Sequence, residues 1–197
     1  MPYPEKARIF APSCHIDTTK SKKISEHMEN LKATTYRGYS QVSGDIALTQ
    51  LIEFMRGNTY REPITRIREA LAQGDSDKAD RIKRQLPYFT ITANYLERRL
   101  PYSLLAYNDI LLLDFDDMPP EELPRMRRAI NDAPATLASF LSPRSHGVKP
   151  LVYLTTPEAR ALRMEWEAQT EAHTYAQLET YHKAQFELAR KHYEELL

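Results

Sequence analysis

Cysteine is nearly absent. Cys14 is the only one in 197 residues, which excludes an intramolecular disulfide framework and a cysteine-based zinc site and suits a reducing compartment. Net charge is absent too: 27 Lys and Arg stand against 27 Asp and Glu, so any contact with nucleic acid or an anionic membrane has to come from a local patch. No apolar run reaches the roughly 18 residues of a membrane helix, and "MPYPEKARIF" lacks the charged, apolar and small-residue order of a secretory signal. The expectation is a soluble, cytoplasmic protein with no membrane contact. Compact histidine spacing is missing as well. His15, His27, His173, His182 and His192 are scattered and read as structural or exposed.

What is present is enough chain for one domain with a proper core. Residues 1–44 contain one β-like piece, "ARIFA", and a polar stretch around "DTTKSKKISEH". Leu48, Leu51, Ile52 and Met55 recur at helical spacing before Gly57, and Ile64, Ile67 and Leu71 repeat the pattern before Gly74. "DSDKADRIKRQ" predicts a third short helix, closed by Pro87 because the residue before proline is pushed out of the α region. "YFTITANYL" is β-rich, and "AYNDILLLDF" is a continuous apolar run that predicts a central strand buried on both faces. Pro119 and Pro120 open a helix with Leu123, Met126 and Ile130 on one face. "ATLASFLS" and "KPLVYLTT" then predict two strands around the turn "PRSHG", giving a β-α-β-β order. From Pro157 to Leu197 almost nothing breaks a helix, and Leu178, Tyr181, Phe186, Ala189 and Tyr193 form its expected buried stripe.

The run "LLLDFDD" ends in Asp114, Asp116 and Asp117. Strand alternation places Asp114 and Asp116 on one face, with Asp117 past the strand end. Two converging carboxylates raise each other's pKa and call for a cation or basic side chains between them. Oxygen-only ligands at a strand end suit Mg²⁺ or Mn²⁺, the metals that carry nucleotide phosphates. A second reading, in which the aspartates merely end the strand and cap the helix after Pro119, fits equally, and Asp117 is the residue it suits best. The turn "SPRSHGVKP" joins Ser142, Arg144, Ser145 and Lys149 between two strands. Its backbone N–H groups and cations suit phosphate oxygens, while a solvated polar hairpin would have the same composition.

Three segments in order, "RIKRQLPYFT", "LLLDFDD" and "LSPRSHGVKPLVYL", resemble the VirE N-terminal domain family, primase-like modules of mobile-element replication proteins in the archaeo-eukaryotic primase superfamily. The resemblance covers roughly residues 45–155 and implies an α+β fold: a primase-like, RRM-like βαββ core with flanking helices and a long C-terminal helix over 156–197. It implies DNA replication chemistry as a nucleotidyltransferase, with Asp114 and Asp116 as catalytic residues and ligands of Mg²⁺ or Mn²⁺. Ser142, Arg144, Ser145 and Lys149 would bind the phosphates of a nucleoside triphosphate. A single-stranded DNA template and a helicase or primase C-terminal region on the full-length protein are the partners it implies.

Departures from the family pattern bear on that expectation. Lys149 stands where the superfamily's Ser-x-His motif has its histidine, Ser145 replaces a usual glycine, and His146 occupies a variable position. The superfamily's third carboxylate ligand has no counterpart in residues 157–197. The expectation is therefore a fragment ending inside a single domain, with its last helix partly unsupported, or a diverged chain lacking that ligand. Lys83, Arg84, Arg98 and Arg99 supply local positive charge that could track a template backbone. Two other enzyme classes place DxD after an apolar strand. Haloacid-dehalogenase phosphatases need a small residue or threonine soon after, which "DFDDMPPEE" does not supply, and nucleotide-sugar glycosyltransferases need a preceding nucleotide-binding βαβ region. The non-enzymatic alternative is an inactive nucleic-acid-binding or scaffold module on the same fold.

Overall fold

A computed structural model describes residues 7–8, 28–37, 41–57, 59–169 and 172–197. Cys14, His15, His27 and most of the polar N-terminal stretch lie outside the described residues; of "ARIFA" only Ala7 and Arg8 are described, as strand β1. The periodic segments fold where their apolar spacing places them. Helix α1 (Leu48–Arg56) buries Leu48, Leu51, Ile52 and Met55 and ends at Gly57, whose N–H donates to the Glu53 carbonyl over 2.9 Å. Helix α2 (Arg61–Ala72) buries Ile64, Ile67 and Ala70, and Gly74 turns the chain with φ +77°. Helix α3 (Ser76–Gln85) starts at Asp75, whose carboxylate accepts the Lys78 N–H, and ends at Leu86, held extended before Pro87.

The strands form three antiparallel sheets. β1, β2 (Lys32–Arg37), β3 (Gln41–Ala47) and β4 (Tyr88–Thr90) make one, in the order β1-β4-β2-β3. β5 (Ala93–Tyr95) and β6 (Leu104–Tyr107) make a two-stranded ribbon. The third, in the order β7-β9-β8, joins β7 (Leu111–Leu112), β8 (Thr136–Leu141) and β9 (Val148–Val152), with helix α4 (Leu123–Asp132) in the crossover. The fold is α+β, and the βαββ unit with flanking helices is as expected.

The segment from Ala106 departs from expectation. It is two strands in different sheets, broken where Asn108 donates its side-chain amide to the Lys32 and Ile91 carbonyls and Asp109 takes a left-handed φ of 54°. β7 is also an edge strand, pairing with β9 alone. Its apolar run is explained by helices on both faces. Ile110 and Leu112 join the core under α1–α3, whereas Leu111 and Leu113 join the opposite core with α4 and the C-terminal helices. Continuous hydrophobicity reports covered faces and says nothing of edges. Asp117 does not cap α4: the cap position is Glu122, without a side-chain bond, and Asp117 is a turn residue with φ 54°.

The C-terminal segment is two helices, not one. α5 (Pro157–Glu167) is capped by Thr156, and α6 (Tyr175–Leu196) opens with a capping box in which the Thr174 hydroxyl accepts the Gln177 N–H and the Gln177 side chain accepts the Thr174 N–H. Trp166 stacks between His173, at 3.5 Å, and Tyr181, at 4.7 Å, and so ties the two helices together. Nor is the last helix unsupported. Leu178, Tyr181, Ala189 and Tyr193 are buried as expected, Phe186 is partly buried, and Tyr193 shares a 2.5 Å hydrogen bond with Thr136 of β8. Burial pushes the Tyr193 hydroxyl up to about 12, against the lowering effect of Thr136. No helix among the described residues is long and apolar enough to cross a membrane.

Tyr193 therefore anchors α6 to the sheet by both area and hydroxyl. Tyr193→Phe is expected to cost about 1 kcal/mol, the net value of a hydrogen bond, and Tyr193→Ala about 3–5 kcal/mol through the cavity it leaves. Urea unfolding of the two variants measures both; equal losses would remove the hydroxyl from the account.

Candidate functional site

The alternation that sends Leu112 toward α1–α3 carries on through Asp114 and Asp116, and Phe115 follows Leu113 toward α6, where its ring lies 5.9 Å from that of Tyr193. The two aspartates thus leave the strand on the face covered by the N-terminal helices. Across from them runs the turn between β8 and β9. Phe115 and Val148 exchange backbone hydrogen bonds of 3.0 and 2.9 Å, and the Met118 N–H donates to the His146 carbonyl, so turn and strand end are laced together.

Lys149, the second residue of β9, is buried and lies between the carboxylates. Its ammonium contacts the Asp114 carboxylate directly and is 3.7 Å from Asp116. The Lys149 side chain is 9% exposed, that of Asp114 26% and that of Asp116 60%, so one end of the cluster is sealed and the other is wet. Burial raises the Asp114 carboxyl above its ordinary value; Lys149 pulls it down and Asp116 pushes it up. Gly147 makes the approach possible. A Cβ there would overlap the Phe115 carbonyl oxygen and come within 2.8 Å of the Asp116 carboxylate.

Of the expected phosphate-binding residues, Lys149 is at the aspartates. Ser142 is buried in the turn, its N–H donating to the Gly147 carbonyl, and Ser145 adopts a φ of 63°, the conformation a glycine would take without strain. Arg144 reaches α3 and pairs with Asp80 at 2.5 Å, holding that carboxyl below its usual range. Lys83 and Arg84, in the last turn of α3, act on the same carboxylate. Arg98 and Arg99 belong to the β5–β6 connection. Arg98 is exposed, whereas Arg99 is 7% exposed and donates to the Tyr88 hydroxyl. A side chain built into that tyrosine cluster does not present its charge to a template backbone.

Three participants were not apparent from sequence: Arg68 of α2, which donates from Nε to the Pro143 carbonyl over 3.3 Å, Asp80, and the close passage at Gly147. Nothing in the local pattern marks the first two, because the α2–α3 hairpin meets the turn only in the folded chain. The described histidines of the scattered set pack: His173 stacks on Trp166, His182 accepts or donates at Nδ1 with the Tyr107 hydroxyl at 2.9 Å, and His192 meets the edge of Tyr193.

As a metal centre the site offers two hard carboxylates, Asp116 with ready access to solvent and Asp114 where burial already penalises the ionised form. That donor set fits Mg²⁺ or Mn²⁺ held by Asp114 and Asp116. Among the described residues no group of three or more His, Cys, Asp and Glu converges to hold a metal.

A carboxylate whose folded pKa exceeds its unfolded value costs stability when ionised; that cost is absent below the unfolded value, near 3.8 for Asp114, and complete above the folded one. Lys149→Met removes the ammonium that offsets it. The variant is expected to lose about 2 kcal/mol at pH 7, less than the cost of breaking a fully buried pair because Asp114 is itself partly exposed, and much less near pH 4. Urea unfolding at the two pH values measures this, and equal losses would assign the effect to packing.

Residues 81–197, well over half of the chain, match the family described as BT4734-like, N-terminal domain. No curated protein matches the chain, and no solved structure does. The match corrects the expected membership in the VirE N-terminal domain family. The resemblance rested on short segments within residues 45–155, whereas the match covers residues 81–197 and runs through α5 and α6 to Leu197. The chain belongs to the BT4734-like N-terminal domain family.

Proposed function

We propose that the protein binds a nucleoside triphosphate with Mg²⁺ or Mn²⁺ at the end of β7 and transfers its nucleotidyl group to a 3′-hydroxyl on a single-stranded DNA template, as in the replication of a mobile element. One observation carries this reading: Lys149, at the start of β9 beside the turn whose composition suits phosphate, lies against the two strand-end carboxylates that suit the metal. A bound metal would activate the attacking hydroxyl and neutralise charge on the leaving phosphates. Asp114 and Asp116 would hold it, Asp116 from the solvent side. Gly147 keeps the approach to Asp116 free of a side chain. Lys149 is a phosphate cation once it is drawn from Asp114, and as an ammonium it does not supply the tautomer-dependent chemistry of a histidine. Lys83 and Arg84 lie on the α3 side of the turn and suit a nucleic-acid backbone. A helicase or primase C-terminal region elsewhere on a longer protein would supply the partner activity.

A second reading has one observation in its favour. Lys149 already balances the carboxylate pair, so the same surface serves as a nucleic-acid-binding or scaffold module with no chemistry. Nucleotide incorporation on a primed single-stranded template, with Mn²⁺ present, separates the two. The wild type is expected to extend the primer and the Asp114→Asn, Asp116→Asn double variant to lose at least about 100-fold in rate, the scale of removing the groups that stabilise transferred charge. No extension by the wild type, or extension unchanged in the double variant, would sink the catalytic reading.

A further inference from the structure

Buried guanidinium N–H groups without acceptors are rare, because the desolvation they suffer is normally repaid by a hydrogen bond. Two such groups meet at the turn 142–147. Arg68 reaches it from α2, donating from Nε to the Pro143 carbonyl, and its Nη2 is buried without a partner. Arg144 reaches out of the turn, donating from Nη2 to Asp80, and its Nε is buried without a partner. Burial lowers the pKa of Arg68, a measure of how poorly its charge is compensated. The acidic group that answers Arg144 is Asp80, whose carboxyl also feels Lys83 and Arg84. Two forked donors with hydrogen-bonding capacity left over, Arg144 three residues before Gly147 in the turn and Arg68 bonded to the turn from α2, describe the demand of an oxyanion.

We propose that Arg68 and Arg144 form a phosphate subsite, taking the polyphosphate tail of the nucleotide whose metal-bound end lies at Asp114 and Asp116. The assignment rests on the nucleotide reading of that site. Arg68 is the new member: it lies outside the family match and outside every motif of the sequence, and its position follows from the packing of α2 on the turn. Asp80 acts as the competitor. With no anion bound it holds Arg144, and a phosphate oxygen must draw the guanidinium away from it. The Arg144 and Asp80 side chains are 38% and 43% exposed, so the exchange takes place at an open edge and does not require the core to move. A polyphosphate is favoured over a nucleic-acid phosphodiester because a terminal phosphate offers three oxygens to two forks, and a phosphodiester offers two.

Titration calorimetry of the whole chain with inorganic tripolyphosphate, in EDTA so that no metal contributes, tests this directly. The wild type is expected to bind, Arg68→Gln to bind at least 10-fold more weakly, and Asp80→Asn to bind more tightly. The last arm guards against misfolding, since loss of structure does not raise affinity. No binding by the wild type, equal binding by Arg68→Gln, or weaker binding by Asp80→Asn would overturn the subsite. A single-stranded oligonucleotide without terminal phosphates supplies the other source; binding that depends on Arg68 for the oligonucleotide but not for tripolyphosphate would overturn the assignment to a nucleotide tail. The outcome is separable from that of the parent reading. Tripolyphosphate binding with no nucleotide incorporation would leave the subsite and remove the chemistry, whereas incorporation unaffected by Arg68→Gln would do the reverse.

Discussion

A buried ammonium in contact with a half-buried carboxylate has to be held there by something other than its own charge. Lys149 and Asp114 come together because the β8–β9 turn is bonded to the end of β7, and that bonding requires Gly147 to pass over Phe115 and Asp116 with no side chain. Desolvating the pair costs more than the attraction alone returns unless the geometry is fixed beforehand. The two cores fix it. α1–α3 press on the Leu112 face and α4–α6 on the Leu113 face, so a two-residue edge strand has as little freedom as a central one.

The same arrangement sets the polarity of the site. Asp114 and Lys149 face the N-terminal helices, and Phe115, one residue later, locks into the Tyr193 side. A shift of one residue along β7 would exchange a carboxylate for a phenyl ring. The anchoring of α6 through Tyr193 and Thr136 is therefore tied to which residue reaches the turn, although it lies on the opposite face. The α2–α3 hairpin completes the arrangement by bringing Arg68 and Asp80 to the turn.

Periodicity made the helices over 48–56, 61–72 and 76–85 legible because each buries one face, and apolar runs between turn residues made the βαββ order legible. It failed where the controlling interaction is not periodic. The break at Asn108 and Asp109 depends on an amide reaching Lys32 and Ile91, and the start of α6 depends on a Thr174–Gln177 capping box, a signal present in the sequence but outweighed by the unbroken apolar stripe around it. At the site, Asp114, Asp116 and Lys149 were legible as residue types in a pattern. Arg144 turned to Asp80 and Arg99 into a tyrosine cluster because a cation in a folded chain turns to whichever acceptor the packing brings near, which the linear sequence does not disclose.

In the proposed function, metal and nucleotide meet at the end of β7. The most direct test is the paramagnetic effect of Mn²⁺ with a nucleoside triphosphate on the backbone amide resonances of the protein. Broadening centred on residues 113–117 and 145–149, and abolished by the Asp114→Asn, Asp116→Asn double variant, is the result the account predicts. Broadening centred elsewhere, for example on the cavity between β5–β6 and α6 lined by Tyr107, His182 and Phe186, or none at all, would contradict it.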